Sequence, residues 1–147
     1  MIIKKIFIAN GPNLNFLGIR ELEQYGSSTY EELIHTIESK ASSLNLEVEL
    51  FQSNNEGEIV DFIQKISHLK DAWLIFNPGA FTHTSISIRD AISVFSQNNK
   101  IVELHISDIN KREDFRKTNL IKDFSDHSII GQGVYGYVKA LEYIDGK

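Results

Sequence analysis

The sequence predicts an α/β fold, a doubly wound parallel sheet with helices on both faces, and three observations carry the prediction. Short apolar runs rich in Ile, Val and Phe alternate five times with segments whose apolar residues recur at helical spacing. The connections between successive runs are long enough to hold a helix, which parallel neighbours require. At 147 residues and 41% hydrophobic content, the chain suits a single domain over 1–147 with its own core.

The elements follow in order. "KKIFIAN" (4–10) reads as a buried strand stopped by "GPN". In "SSTYEELIHTIESKASSLN", Leu33, Ile34, Ile37, Ala41 and Leu44 fall on one helical stripe, and Ser28 with Glu31 is expected to form a capping box. "LEVELFQ" (46–52) alternates as a second strand. "EGEIVDFIQKISHL" (56–69) follows as a helix with Ile59, Val60, Phe62, Ile63 and Ile66 on its stripe. "DAWLIFN" (71–77) is the third strand, "ISIRDAISVFSQN" a helix that starts near Ser85, and "KIVELHIS" (100–107) the fourth strand. "DINKREDFRKTN" suits a short helix or turn, "HSIIGQ" a fifth strand and "GVYGYVKALEYI" the last helix. The expected strand order is flavodoxin-like, 2-1-3-4-5.

Composition removes several function classes. There is no cysteine, so neither a disulfide framework nor a thiolate centre is available. The net charge of -5 is spread along the chain without a basic block, which argues against nucleic acid or an anionic membrane as partner. "MIIKKIFIANGPN" lacks the long apolar region of a leader, and no segment approaches the ~20 apolar residues of a membrane span. A cytoplasmic protein is expected.

In such sheets the ligand crevice lies at the carboxyl ends of the strands where the winding reverses, here between strands 1 and 3. Both prolines, Pro12 and Pro78, fall in the loops that leave those strands. The first loop runs about seventeen residues where ~2–6 is usual, the length of a lid or binding loop. It contains neither a GxGxxG nor a GxxxxGK[ST] phosphate loop. It does contain Arg20, the only Lys or Arg between Lys5 and Lys40, five residues before Tyr25. A phenol is a weak base near its ordinary pKa of ~10 unless a cation favours the phenolate.

Other residues admit two readings. Asn10, Asn13 and Asn15 suit backbone satisfaction in a turn as well as substrate or water binding. His105 near the end of strand 4 is either a packed histidine or a general acid, with Glu103 and Ser107 on its side of the pleat. Asn77, His83 and Ser85 form a plausible cradle for hydroxyls or a carboxylate. Arg116 suits half of a solvated charge run and Arg112 more so, but one of the pair near the crevice would suit a polyhydroxylated acid through its fork of donors. His35, His68 and His127 read as surface or structural.

Five stretches, "NGPNLNFLGIRELEQYG", "SNNEGEIVDFI", "NPGAFTHTSISIRDAI", "ELHISDINKREDFR" and "GYVKAL", resemble the type II 3-dehydroquinate dehydratases in order and spacing, from about Lys5 to Leu141. The resemblance implies a flavodoxin-like fold. It also implies dehydration of 3-dehydroquinate to 3-dehydroshikimate by anti elimination through an enolate, without metal or organic cofactor. It assigns Tyr25 as the proton acceptor, Arg20 as the transition-state stabiliser and Asn13 as the residue that positions a water on the enolate oxygen. His105 becomes the proton donor, supported by Glu103. Asn77, His83, Arg116 and the backbone of Ile106 and Ser107 match substrate-binding positions. Asp90 matches the position that reaches a neighbouring subunit's site in dodecamers built from trimers.

The chain departs from the family pattern at Leu22, where proline is usual, at Asp108, where Asn is common, and at Asn55 and Asn110. Without the proline's φ constraint the lid is expected to be more mobile than in its relatives. The alternatives are a flavodoxin-like binding or signalling module, which would need a flavin cradle or acidic cluster not written here, and an inactive relative kept as a scaffold.

Overall fold

The structure, a computed structural model, describes residues 3–147; Met1 and Ile2, which open "MIIKKIFIANGPN", lie outside the described residues. Five strands, β1 (Lys5–Asn10), β2 (Glu47–Gln52), β3 (Trp73–Asn77), β4 (Lys100–His105) and β5 (His127–Ile130), form one sheet in the order β2-β1-β3-β4-β5. Every neighbouring pair is parallel. This is the flavodoxin-like arrangement that the alternation predicts. Among the described residues, no helix is long and apolar enough to cross a membrane.

The pleat sorts the strand residues onto two faces. Ile6, Ile8, Ile75, Val102 and Leu104 pack under α2 (Tyr30–Ser43) and α5 (Tyr135–Asp145). Phe7, Ala9, Leu74, Phe76 and Ile101 pack under α3 (Glu56–Ile66) and α4 (Ile86–Phe95). Burying each large aliphatic side chain is worth about 1.5–3 kcal/mol, so two facing cores fix the sheet from both sides. The central strands are therefore buried on both faces, as in a parallel sheet, with polar residues confined to their carboxyl ends and to Glu103 in β4 apart from the exposed Lys5 and Lys100 at their starts.

Element ends differ from the expectation by a few residues. β3 starts at Trp73 rather than Asp71, whose φ of 61° is left-handed and outside strand geometry. α3 stops at Ile66. The expected Ser28–Glu31 capping box is displaced by one residue. Thr29 is the N-cap, its hydroxyl accepting from the Glu32 amide at 3.1 Å. "SSTYEE" offers the S/T-x-x-E pattern in two registers, and the observed one buries Leu33, Ile37 and Ala41 against the sheet. Asn55 caps α3 by accepting from Gly57 and Glu58, so that departure has a local structural use.

At the carboxyl edge the loops after β1 and β3 interlock. The Gly11 amide donates to the Asn77 carbonyl at 2.8 Å, and a Cβ on Gly11 would overlap the Pro78 carbonyl. Gly79, at φ 60°, lies in turn against the Pro12 carbonyl. Beneath them runs a buried polar network. The Tyr137 hydroxyl donates to Asn10 Oδ1 at 2.5 Å and accepts from Asn77 Nδ2 at 3.1 Å, and Asn10 Nδ2 donates to the Tyr30 hydroxyl at 3.3 Å. Burial pushes the Tyr137 phenol far above its ordinary value, so it stays a donor. Asn77 Oδ1 completes the network by accepting from the Gly79 amide at 3.2 Å.

Candidate active site

A cleft of about 140 Å3 opens at the carboxyl edge, lined by the loop after β1, the β3–α4 turn, the end of β4 and the segment that follows it. It is far smaller than the ~300–1,000 Å3 of sites for drug-sized ligands and suits one small ring. Arg20, Arg112 and Arg116 face it, together with His83 and His105, and no carboxylate lines it. In a chain of net charge -5 this is a local cationic trap for an anion. A larger open groove at the opposite edge of the sheet, beside Lys4, Lys5, Trp73 and Lys100, has no comparable set of acid and base groups.

The long first loop builds one wall. Asn13 takes the left-handed conformation (φ 68°), which Asn tolerates, and its amide donates to Asn54 Oδ1 at 2.9 Å. The lid then forms a four-residue helix, α1 (Leu22–Tyr25). Glu21, ahead of it, is left-handed at φ 36°. Leu22 holds the first helical position, where proline's missing N–H costs nothing, but a proline there would disfavour Glu21's conformation. Leu22 thus lets Glu21 turn its carboxylate toward Arg20 Nη2 (3.3 Å) and Arg112 Nη2 (3.1 Å).

These contacts converge on Tyr25. Its hydroxyl accepts from Arg112 Nη1 at 2.7 Å and from Arg20 Nη2 at 3.3 Å. The Arg20 guanidinium also lies 4.5 Å from the ring centroid. The Arg112 side chain is only 7% exposed and adds a bond to Ser107 Oγ at 3.3 Å. The reading of Arg112 as a solvated charge is therefore wrong. Nothing local in "DINKREDFRK" separates it from Lys111, which is 84% exposed; only the approach of the lid from 87 residues away makes Arg112 a site residue.

β4 builds the other side. Glu103, fully buried, accepts from His105 Nε2 at 2.9 Å, from Ser128 Oγ at 2.6 Å and from Asn119 Nδ2 at 2.8 Å. Burial alone would push the Glu103 carboxyl up. The three hydrogen bonds and the attraction of His105 together outweigh it and hold the group below its usual value. His105 Nε2 is thereby engaged, and Nδ1 is the ring nitrogen left for the cleft. His83 donates from Nδ1 to the Thr118 carbonyl at 2.7 Å, since a carbonyl only accepts. Burial, followed by the fields of Arg116, His105 and Arg112, pushes the His83 ring down despite that bond, which keeps it neutral with Nε2 as an acceptor.

Of the residues singled out from the sequence, Asn13, Arg20, Tyr25, His83, His105, Ser107 and Arg116 line the cleft, and Glu103 stands behind His105. The expected cradle of Asn77, His83 and Ser85 does not form as a unit. Ser85 caps α4 through the Ile88 amide, and Asn77 is turned into the Tyr137 network under the floor. Ile106 is buried just past β4, its carbonyl accepting from the Gly133 amide at 3.0 Å. Asp90 is exposed on α4, away from this cleft. Arg116 is braced by Glu113 at 2.8 Å, and Asp108 caps the turn after β4 by accepting from the Asn110 amide at 3.0 Å.

A flavodoxin-like sheet with a phenol, three guanidiniums and a carboxylate-backed histidine gathered at its carboxyl edge defines an enzyme built for acid–base chemistry on a small anion. Residues 4–145 match the family described as dehydroquinase class II. The chain is 46% identical over 140 residues to 3-dehydroquinate dehydratase from Thermotoga neapolitana, covering 95% of this chain and 93% of that one. It is 47% identical over 137 residues to the enzyme of the same name from Clostridium acetobutylicum, covering 93% of each. The crystal structure of type II dehydroquinase from Butyrivibrio crossotus superposes with a TM-score of 0.92 at 44% identity, over 97% of this chain and 98% of that one. The chain belongs to the class II dehydroquinase family.

Proposed function

We propose that this chain, as one catalytic domain, is the hydro-lyase that converts 3-dehydroquinate to 3-dehydroshikimate in the shikimate pathway. The observation that carries the reading is the phenol oxygen of Tyr25 under two guanidinium donors, facing the same cleft as the Glu103-backed His105.

The reaction removes a proton from C2, next to the C3 ketone, and a hydroxyl from C1. Tyr25 as phenolate takes the C2 proton, and the electron pair moves toward the ketone oxygen as an enolate. Arg20 and Arg112 offset the charge on the phenolate before the transfer, and the cationic cleft offsets the charge that appears on the substrate after it. A water held by Asn13 donates to the enolate oxygen. The enolate then collapses to form the C1–C2 double bond, and the C1 hydroxyl leaves as water with a proton from His105 Nδ1. The product is a conjugated enone.

Arg116, His83, Asn77 and the amides of Ile106 and Ser107 are the proposed binding groups. Arg116 presents a rigid donor fork and His83 an acceptor for a hydroxyl. For Asn77, whose amide is largely engaged below, the binding role falls to the N–H that its bonds to Tyr137 and Gly79 leave over. Asp90, exposed on α4, would serve a neighbouring copy's site in a dodecamer of trimers, and the protein would work in the cytoplasm without metal or organic cofactor.

The test is to mix purified protein with 3-dehydroquinate in chelator-treated buffer and follow the enone absorbance. No turnover sinks the reading. Tyr25→Phe should abolish turnover while leaving substrate binding by calorimetry largely intact; near-normal rates would remove Tyr25 from the base role.

A further inference from the structure

Glu103 presents a physical problem that the reaction alone does not solve. A carboxylate buried in the middle of a strand needs several donors to remain charged, and it must also point at one edge of the His105 ring. The donors come from three separate places in the chain. His105 lies two residues on along β4, Ser128 lies directly across in the β4–β5 register, and Asn119 lies on the loop between the Arg116 turn and β5.

We propose that Asn119 and Ser128 are positioning residues for the acid half of the reaction. They fix the Glu103 carboxylate so that it takes the Nε2 hydrogen of His105 and leaves Nδ1 to serve the substrate. The inference rests on the dehydratase reading given above.

The geometry of Asn119 leaves no freedom in its amide. Oδ1 accepts from the backbone of Ile121 and Lys122, both at 3.1 Å, so Nδ2 must be the end that faces Glu103. Ser128 closes the other oxygen, Oε1, so neither carboxylate oxygen can rotate without losing a bond. The same loop also holds the second histidine of the cleft. The Thr118 carbonyl fixes His83 Nδ1, and the Leu120 amide donates to the Thr82 carbonyl at 2.9 Å. Residues 118–120 thus set both imidazoles from outside the cleft.

The test separates positioning from scaffolding because Asn119 has two functional ends. Asn119→Asp keeps an oxygen for the Ile121 and Lys122 amides and replaces the donor with a second carboxylate oxygen against Glu103. Ser128→Ala removes the other donor at small volume cost, and Ser128→Thr restores it. The groups that face His105 are Glu103, His83, Arg112 and Arg116, with Tyr25 and Arg20 from the lid, and none of them is altered.

With circular dichroism and melting temperature held near wild type, kcat on 3-dehydroquinate should fall about tenfold or more in Asn119→Asp and in Ser128→Ala, the worth of one hydrogen bond to a charge. KM should stay within about threefold, one limb of the kcat–pH profile should move, and Ser128→Thr should recover most of the rate. A second readout does not need turnover. Nitrogen-15 spectra of the His105 ring, assigned by their loss in His105→Gln, should show Nε2 protonated in wild type and displaced ring resonances in both variants.

Wild-type kcat, pH profile and ring spectra in Asn119→Asp and Ser128→Ala would overturn the positioning role while leaving the dehydratase reading intact. A wild-type protein that fails to turn over 3-dehydroquinate, with ring spectra that still respond to the two variants, would overturn the function and leave the positioning geometry standing.

Discussion

Removing the Arg112 guanidinium is the sharpest single perturbation of this site, because that group sits between lid and sheet. Its Nη1 is 2.7 Å from the Tyr25 oxygen and 3.3 Å from Ser107 Oγ, its Nη2 is 3.1 Å from Glu21, and its side chain is 7% exposed. At an effective dielectric of ~20, a guanidinium and a phenolate at that separation attract by about 6 kcal/mol. Glu21 on the same guanidinium cancels part of this, and Arg20 remains on the phenol at 3.3 Å. The net loss expected for Arg112→Met is therefore about 2–4 kcal/mol, or roughly 30- to 1,000-fold in kcat/KM by the enone assay. Arg112→Lys should recover only part of it, since an ammonium cannot reach Tyr25, Ser107 and Glu21 together in one fork. An Arg112→Met enzyme within about threefold of wild type would refute the claim that this guanidinium holds the base.

Three further outcomes follow from the same geometry. Tyr137→Phe strands Asn10 Oδ1 and Asn77 Nδ2 in the interior, so stability should drop by about 1–3 kcal/mol in urea denaturation; an unchanged midpoint would remove the network from the fold's support. Glu103 has its folded value held below the unfolded value of 4.5, so its contribution to stability is present above about pH 4.5 and disappears as pH falls through the folded value. The stability gap between wild type and Glu103→Gln should accordingly be flat above pH 4.5 and shrink below it, and a gap that stays constant into acid would refute this. Leu22→Pro should drive Glu21 out of its left-handed conformation and break its bridge to Arg112, which hydrogen exchange across residues 18–28 would register as faster exchange. Slower exchange in that variant would instead support the proline as a lid stiffener.

The sequence by itself determined the sheet, its strand order, the two proline loops at the crevice and most of the polar residues that line the cleft. Those signals are local or periodic. Alternation of apolar runs and helical stripes needs only near neighbours, and a seventeen-residue loop holding one arginine and one tyrosine is visible without a fold. What only the tertiary structure decided is which polar groups meet. Arg112 looked like one charge among many until the lid brought Tyr25 and Glu21 to it from the far end of the chain. Asn77 reads as a substrate-binding residue, and only the fold shows that Tyr137, sixty residues on, takes one of its amide donors beneath the floor. Asn119 and Ser128 carry no signal in the sequence, because Ser128 meets the Glu103 carboxylate only when β5 pairs with β4, and Asn119 only when the loop ahead of β5 folds back onto β4. Apolar burial is non-directional and leaves a pattern in one strand or helix, whereas a hydrogen bond is specified by two positions and a distance, and a linear sequence carries only the positions.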